Sequence, residues 1–285
     1  MVNAYSPKSL KEALEAIVFT EYTVFAGGTD LMVKRKQWAG LLPIFDKPVI
    51  FISDLDELKQ IRIEKGHLYI GAACTFSSLI ESPLIPEFYK QVFMQIASPA
   101  VRNIATIGGN ICNSSPAGDS LPLLYALDAD LVIESSCRRV LMPIVDFITG
   151  PGRNILTSSD LVTAIKLPIL DFEKTYYKRV SPRKSNALSK VSFVALANME
   201  NEVYKDIRIA FGSVAPTVIR SLDIEEEIIT MSSQGDLDIN QIIRDYASLI
   251  KPIDDQRSTA LYRKEVCKRL LLDFIENNVA ELSLL

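Results

Sequence analysis

Apolar residues along this chain recur with two different periods, and the places where the period changes mark its elements. Leu10, Ala13, Leu14 and Ile17 stand at helical spacing and predict a short helix over residues 7–17, with Ser6 placed to cap it. TVFA reads as a strand running into AGGTDL, and LMVKRKQWAG as a helix closed by Gly40. PVIFIS reads as a short strand. DLDELKQ, IRIEKG and HLYIGAA read as a turn followed by a β-hairpin, and residues 75–80 and 84–97 as helices. The first hundred or so positions therefore alternate strand and helix. Further on, DADLVIESSCRRVLMP predicts a second hairpin turning at Ser135–Arg138, FITGPGRNIL a glycine-flanked loop, and DLVTAIKLP an alternating strand. TYYKRV and SKVSFVALANM read as two strands around a basic polar loop, and EVYKDIRIAFGSVAPTVIRS as a further strand and turn. From Ile219 the period lengthens to that of helices in IRSLDIEEEIITM, LDINQIIRDYASLI and RSTALYRKEVCKRLLLDFIENN. Strands backed by helices make the second part α+β, with the boundary near Asp171.

Between these two parts lies a stretch that breaks the pattern. Arg102–Ser120, RNIATIGGNICNSSPAGDS, is almost free of large side chains and is rich in glycine, asparagine and hydroxyls, with one carboxylate, Asp119. Gly108 and Gly109 would let a ligand approach the main chain, and successive amides in such a turn make a concave anion site. Asp119 opens the apolar run LPLLYALDADLVI, where it could accept from ligand hydroxyls or simply cap a helix. AGGTDL is a similar device about 80 residues earlier. Thr29 or Asp30 could cap the helix after Gly28, leaving its amides and positive dipole end facing the loop. Two such loops converging would cradle a pyrophosphate and suit a dinucleotide, whereas either alone could be an ordinary tight turn.

Composition narrows the chemistry. With 285 residues the chain can hold two domains, and a net charge of −4 with no basic cluster argues against a nucleic-acid surface. No apolar run approaches the roughly 20 residues that span a bilayer, and MVNAYSPKSLKEAL has neither the basic start nor the apolar core of a signal peptide. A cytoplasmic protein without membrane or nucleic-acid partners is expected. Cys74, Cys112, Cys137 and Cys267 form no CxxC pair, so no zinc or iron–sulfur site is expected within the chain, and buried free thiols are, except for Cys112 in the polar loop. His67, the only histidine, heads a strand beside Gly66 and suits no hydrolase triad. There is no GxGxxG after a strand and no GxxxxGK[ST], which speaks against a Rossmann site and a P-loop. Lys178, Arg179, Arg183 and Lys184 gather beside Tyr176 and Tyr177; Arg183 and Lys184 read as a solvated loop, while Tyr177 or Lys178, on the strand, could face a cleft.

Taken together, AGGTDL at 26–31, RNIATIGGNICNSSPAGDS, GPG at 150–152, DLVTAIKLP, YYKR, AFGSVAPTVIRS and STALYRKEVCKRLL resemble, in order and over nearly the whole chain, the FAD-binding medium subunit of the xanthine dehydrogenase family of molybdenum hydroxylases. The resemblance implies an α+β fold: a two-subdomain FAD-binding domain of the vanillyl-alcohol-oxidase (PCMH) type over 1–170, its subdomains meeting near 55–60, then a small α+β domain over 171–285, with FAD extended between them. It implies that Val24, Phe25, Ala26, Gly27, Gly28, Thr29, Asp30 and Leu31 wrap the diphosphate and flavin side. Thr106, Ile107, Gly108, Gly109 and Asn110 would hold the pyrophosphate from the other side, and Asp119 would bond FAD hydroxyls. Ile96, Val162 and Lys178 fall at further cofactor positions. Ile96 stands where the family can place an aromatic ring, and Lys178 is a candidate electrostatic partner for the flavin. The loop SPRKSNALSK lacks the acidic cluster of the animal xanthine dehydrogenases, so flavin tuning and NAD selectivity do not carry over in detail, and the four-cysteine insert of some relatives is absent.

In this reading the chain is an FAD-dependent oxidoreductase subunit of xanthine dehydrogenase type with no catalytic side chain and no metal of its own. A molybdopterin-binding large subunit would oxidise the substrate, a small subunit with two 2Fe–2S clusters would relay electrons, and FAD here would pass them on, most simply to NAD. Besides a non-catalytic nucleotide-binding or scaffold protein, two further alternatives stand beside it. One is a medium subunit serving a carbon monoxide, nicotinate or aldehyde dehydrogenase. The other is a self-contained FAD-dependent oxidoreductase of the same fold, for which Tyr176 or Tyr177 is the candidate acid–base group and Cys112 the one candidate for a covalent flavin link.

Overall fold

The computed structural model describes residues 3–280, and these divide into two compact units. One comprises the residues through Ser114 together with Asp128–Ile169; the other comprises Ser115–Leu127 together with the residues from Leu170 onward.

The first unit opens with a small parallel sheet. Its strands β1 (Ala4–Tyr5), β2 (Thr23–Phe25) and β3 (Val49–Phe51) lie in the order β1-β3-β2, linked by helices α1 (Leu10–Phe19) and α2 (Thr29–Arg35). Helix α1 buries Ala13, Leu14 and Ile17 against Ile50, Ile52, Leu55 and Leu58. Its cap is Ser9 rather than Ser6: the Ser9 hydroxyl accepts from the Glu12 amide, and the Glu12 carboxylate in turn accepts from the Lys8 amide. Helix α2 buries no residue and stops at Arg35, well before the expected closure at Gly40, because no apolar face packs to carry it on. The segment from Val33 to Ile44 is accordingly the most apolar exposed run of this unit, with Trp38 at 86% and Leu42 at 85% exposure.

A 3-10 turn at Asp56–Leu58 leads into an antiparallel sheet. Strands β4 (Ile61–Glu64) and β5 (His67–Gly71) form the expected first hairpin. Four short helices follow, α3 (Phe76–Glu81), α4 (Glu87–Met94), α5 (Pro99–Arg102) and α6 (Ile107–Cys112), and then α7 (Leu121–Ala126) in the other unit. Strands β6 (Asp130–Glu134) and β7 (Arg139–Pro143) form the second hairpin, α8 (Ile144–Phe147) continues from it, and β8 (Ile148–Gly150) with β9 (Arg153–Asn154) folds GPGRN into a tight hairpin. Strand β10 (Leu161–Pro168) runs through the middle of the sheet, whose order is β4-β5-β10-β6-β7. That central place explains why Leu161–Ile165 are buried without a break, with a bulge between Val162 and Ala164, where simple alternation was expected.

In the second unit β11 (Lys174–Val180), β12 (Val191–Glu200) and β13 (Val203–Gly212) make an antiparallel meander. Phe193, Ala195, Ile209 and Phe211 on one face pack against α9 (Leu222–Gln234), α10 (Ile239–Leu249) and α11 (Ala260–Ala280) through Ile228, Tyr246, Leu271 and Phe274. The other face takes α7, every residue of which is buried. A Cβ on Gly212 would stand 2.8 Å from Pro122 Cγ, so the bare backbone there lets α7 sit close. Two guanidinium groups then close α7's C-terminal end: Arg208 donates to Ala126 O at 3.0 Å and Arg220 to Tyr125 O at 2.6 Å. Among the described residues no helix is long and apolar enough to cross a membrane.

Candidate functional site

The two glycine-rich stretches meet. A Cβ on Gly27 would stand 2.7 Å from the Ile104 carbonyl carbon and 3.0 Å from Ala105 Cα, so AGGTDL lies directly on the backbone that leads into TIGGNI. At the far ends of the two segments, Lys34 of α2 donates to the Asn113 side chain at 2.5 Å.

The two helices that open at these loops differ in what their amides do. Gly28 takes the left-handed conformation, with φ +70°, as the cap of α2, and no side chain caps that helix. Met32 N donates to Gly28 O, which leaves the amides of Thr29, Asp30 and Leu31 with no acceptor among the described residues. Their helix end is open, half-exposed or exposed, and electropositive. Neither Thr29 nor Asp30 caps it, contrary to the sequence expectation, because the turn at Gly28 starts the helix before either side chain can reach back.

Helix α6 is closed. TIGGNI is not a strand end followed by a turn: Thr106 caps a helix that contains both glycines, and its hydroxyl accepts from Gly109 N at 3.1 Å. Ile107 N donates to Cys74 O, Gly108 N to Ala72 O and Asn110 N to Thr106 O. A Cβ on Gly108 would lie 2.6 Å from Ala72 O, so that glycine serves packing against the end of β5, whereas a Cβ on Gly109 would meet only the Thr106 hydroxyl. The amides left open in this region are therefore those of Thr29–Leu31, while those of Ile107–Asn110 are engaged within the chain.

The end of α6 is fixed by Ser114, Gly152 and Asn154, to none of which the sequence assigns such a role. Ser114 is buried in the left-handed region at φ +49°, an unfavourable state for a serine. Gly152 N donates to its carbonyl at 2.8 Å, and Asn154 donates to its hydroxyl at 3.2 Å and to Cys112 O at 2.9 Å. GPGRN is thus a brace for the α6 terminus, which its glycines alone could not reveal.

The other expected positions are placed as follows. Val24 is exposed on β2. Ile96 is buried at the end of α4, its carbonyl held by Arg102 Nη1 at 2.7 Å. Val162 is buried beside the β10 bulge, where Ala72 N donates to Thr163 O. In the second unit Asp119 is buried and ion-paired to Arg179 at 2.9 Å, and Ser189 donates to its other oxygen. Burial drives its carboxyl upward against the pull of Ser189 and Arg179. It does not cap α7; Ser120 takes that position. Lys178 is exposed. Strand alternation puts it on the side of Tyr176 and Val180, which pack on the helices, while Tyr177 and Arg179 share the side of Asp119. Arg183 and Lys184 are exposed, as expected of a loop.

Cys74 and Cys267 are buried, Cys112 is half-buried, and Cys137 is exposed at the β6–β7 turn rather than buried. Burial pushes the Cys112 thiol up to about 12, which makes it unreactive as a nucleophile. Among the described residues no cluster of His, Cys, Asp or Glu could hold a metal ion.

A helix end with open amides after a left-handed glycine is suited to a phosphate group. Residues 1–170 match the family described as the FAD binding domain in molybdopterin dehydrogenase, and residues 175–278 match the CO dehydrogenase flavoprotein C-terminal domain. The glyceraldehyde dehydrogenase medium chain of Sulfolobus acidocaldarius is 30% identical over 93% of this chain and 94% of its own length. The xanthine dehydrogenase FAD-binding subunit of Escherichia coli O157:H7 is 32% identical over 71% of this chain and 70% of its own. A solved structure of the carbon monoxide dehydrogenase of Hydrogenophaga pseudoflava includes a chain that superposes with a TM-score of 0.87 over 98% of this chain and 97% of its own, at 23% identity, a likeness of fold. The chain belongs to the FAD-binding medium subunits of the molybdenum hydroxylases.

Proposed function

We propose that this chain seats the FAD diphosphate on the open amides of Thr29, Asp30 and Leu31 and serves as the electron outlet of a multi-subunit molybdenum hydroxylase. The observation that carries the reading is the contrast between the two glycine loops: among the described residues one helix end has three amides without an acceptor, and the other has spent its own. FAD supplies two-electron chemistry, while the protein supplies placement and charge. Val24–Ala26 lead the chain to that helix end. Gly27 lets it lie against Ile104, and Thr106–Asn110 with Ile96 and Val162 make the supporting wall.

In this reading electrons arrive from a small iron–sulfur subunit and a large molybdopterin subunit and leave to NAD. The relative named as a xanthine dehydrogenase subunit supports a purine substrate for the assembly. A second reading, an aldehyde substrate, is favoured by the glyceraldehyde dehydrogenase chain, whose similarity extends over nearly the full length of both proteins.

An absorption spectrum of the purified chain, before and after acid precipitation and with NADH under anaerobic conditions, tests the proposal. Releasable FAD that NADH bleaches supports the whole reading. FAD that NADH leaves oxidised removes NAD as acceptor. A colourless chain that takes up no added FAD overturns the proposal.

A further inference from the structure

The chain beyond α2 forms a projecting loop within the first unit. Ile44 N donates to Arg35 O at 3.4 Å, so the chain returns to the end of the helix and closes a neck. The Arg35 guanidinium ties the same neck: it pairs with Asp46 at 2.7 Å and lies over the Phe45 ring, 6.0 Å from its centroid. At the far end Leu41 N donates to Trp38 O at 3.1 Å, and Gly40 takes φ +86°, a turn that favours glycine. What the neck and turn hold in water is apolar. Trp38 and Leu42 are almost fully exposed, and Leu41 and Ile44 are more than half exposed. A closed loop that carries neighbouring large apolar side chains on the surface marks an interaction site. Its charge is one-sided. From Leu31 to Phe45 the chain holds Lys34, Arg35 and Lys36 and no acid. Lys34 donates to Asn113 and Arg35 is paired, while Lys36 is exposed and meets no carboxylate among the described residues. Lys36, Gln37 and Trp38 line a cleft of about 510 Å³. An ammonium, an amide and an indole around one cleft suit a carboxylate on an apolar stem.

We infer that residues 36–44 dock another subunit of the hydroxylase, one that presents a carboxylate with apolar side chains beside it. The carboxylate enters the cleft against the Lys36 ammonium, and the apolar groups cover Trp38, Leu41 and Leu42. A second copy of this chain is disfavoured, because in a two-fold contact the patch meets itself and brings like charges together. A bilayer is disfavoured too: its surface has no side chain to fill the cleft, and so few free cations attract anionic lipid only weakly. Helix α2 spans seven residues, about 10 Å, so the docked subunit stands close to the amides of Thr29, Asp30 and Leu31. The inference rests on the reading that the chain works within a multi-subunit hydroxylase.

Photo-cross-linking in the assembled enzyme is the test. Benzoylphenylalanine replaces Trp38 in the full chain, co-expressed with its other subunits, and the peptides joined on irradiation are identified by mass. The expected product joins residue 38 to another subunit, in a peptide that carries an aspartate or glutamate next to apolar residues. Lys36→Glu and Leu42→Ser should each weaken subunit association about tenfold or more, and exchanging the mapped carboxylate for a lysine should restore association to Lys36→Glu. Both variants should keep the FAD affinity of the wild-type chain, since neither side chain belongs to the open helix end. A cross-link to a second copy of this chain, a cross-link to lipid when vesicles of phosphatidylcholine and phosphatidylserine are present, or an assembled enzyme with no cross-link from residue 38 would overturn the inference. So would loss of FAD in Lys36→Glu, which would assign the loop to the cofactor. If the wild-type chain assembles with no other subunit, the multi-subunit reading fails and the inference with it, whereas assembly without a cross-link leaves that reading intact.

Discussion

Replacing Gly27 by alanine asks for the smallest possible change at the place where the two glycine loops touch. The new Cβ would sit 2.7 Å from the Ile104 carbonyl carbon, 3.0 Å from Ala105 Cα and closer still to the Ile104 oxygen. Carbon atoms rest at about 3.5–4.0 Å, so the two backbones must part by roughly 1 Å. No side chain can rotate away, because the obstructing atoms are main chain. Overpacking of this kind costs about 1–3 kcal/mol, and a clash between two backbones belongs at the upper end. The functional consequence is larger than the loss of stability. The amides of Thr29, Asp30 and Leu31 follow Gly27 directly, and a hydrogen bond made at about 2.9 Å does not survive a shift of that size. Losing one charge-assisted bond to a phosphate removes about 1.5–3 kcal/mol, or about tenfold or more in affinity. Gly66→Ala is the control. Gly66 has φ +75° and no atom within 4 Å of the place a methyl group would take, so an alanine there meets backbone strain of about 1–2 kcal/mol and no collision. Thermal melts of the apo-chain with FAD titration separate the two effects. Gly27→Ala should lose both melting temperature and FAD affinity, and Gly66→Ala melting temperature alone. Wild-type FAD affinity in Gly27→Ala, or an equal loss in both variants, would refute the argument that the loop contact places the amides.

Other consequences follow from the polar interior. Hydrogen bonds from Arg263 and the Arg257 amide, with the charges of both arginines, outweigh the cost of burial and hold Asp255 down at about 2. A depressed carboxyl contributes stability that is fully present above its ordinary value of about 3.9 and is lost as pH falls toward 2; Asp255→Asn should flatten the acid limb of urea-melt stability between those values. Glu225 is buried, accepts from Ile209 N at 2.7 Å and faces Arg220 at 3.0 Å. Glu225→Ala should destabilise the second unit by about 3–5 kcal/mol in chemical denaturation, because it strands a buried guanidinium; a loss below about 1 kcal/mol would show that the pair is screened. Asn154→Ala removes both bonds that brace the end of α6 and should cost about 1–3 kcal/mol with faster hydrogen exchange at Ser114 and Gly152. Exchange at wild-type rates would show that the Gly152 amide braces it alone.

Much of the architecture was legible because each element repeats a local pattern. The hairpins at β4–β5 and β6–β7, the meander and the three C-terminal helices all follow from alternation and helical spacing, since each buries one face of itself. The errors fall where local pattern and tertiary packing disagree. Val33, Trp38 and Leu42 have the apolarity of a helix extending to Gly40, yet their segment finds nothing to pack on and α2 ends at Arg35. TIGGNI has the glycines of a turn, yet Thr106 caps it as a helix because Cys74 and Ala72 offer carbonyls to its first amides. LPLLYALDADLVI reads as one apolar run, yet it divides near Asp128, whose φ of +51° turns the chain from one unit to the other.

The residues of the candidate site divide the same way. Sequence alone singled out two glycine-bearing loops, a polar stretch ending in Asp119 and a basic strand as the candidates for a site. Tertiary structure decided which donors remain open. An amide at a helix end is available only if no carbonyl elsewhere in the chain reaches it, and the carbonyls of Ala72 and Cys74 lie more than 30 positions from the amides they satisfy. It also decided that Asp119 faces Arg179, 60 residues away in the chain, across a sheet whose register no local pattern encodes. Spacing along the sequence fixes the faces of single elements, while hydrogen-bond satisfaction is settled only when distant elements are brought into contact.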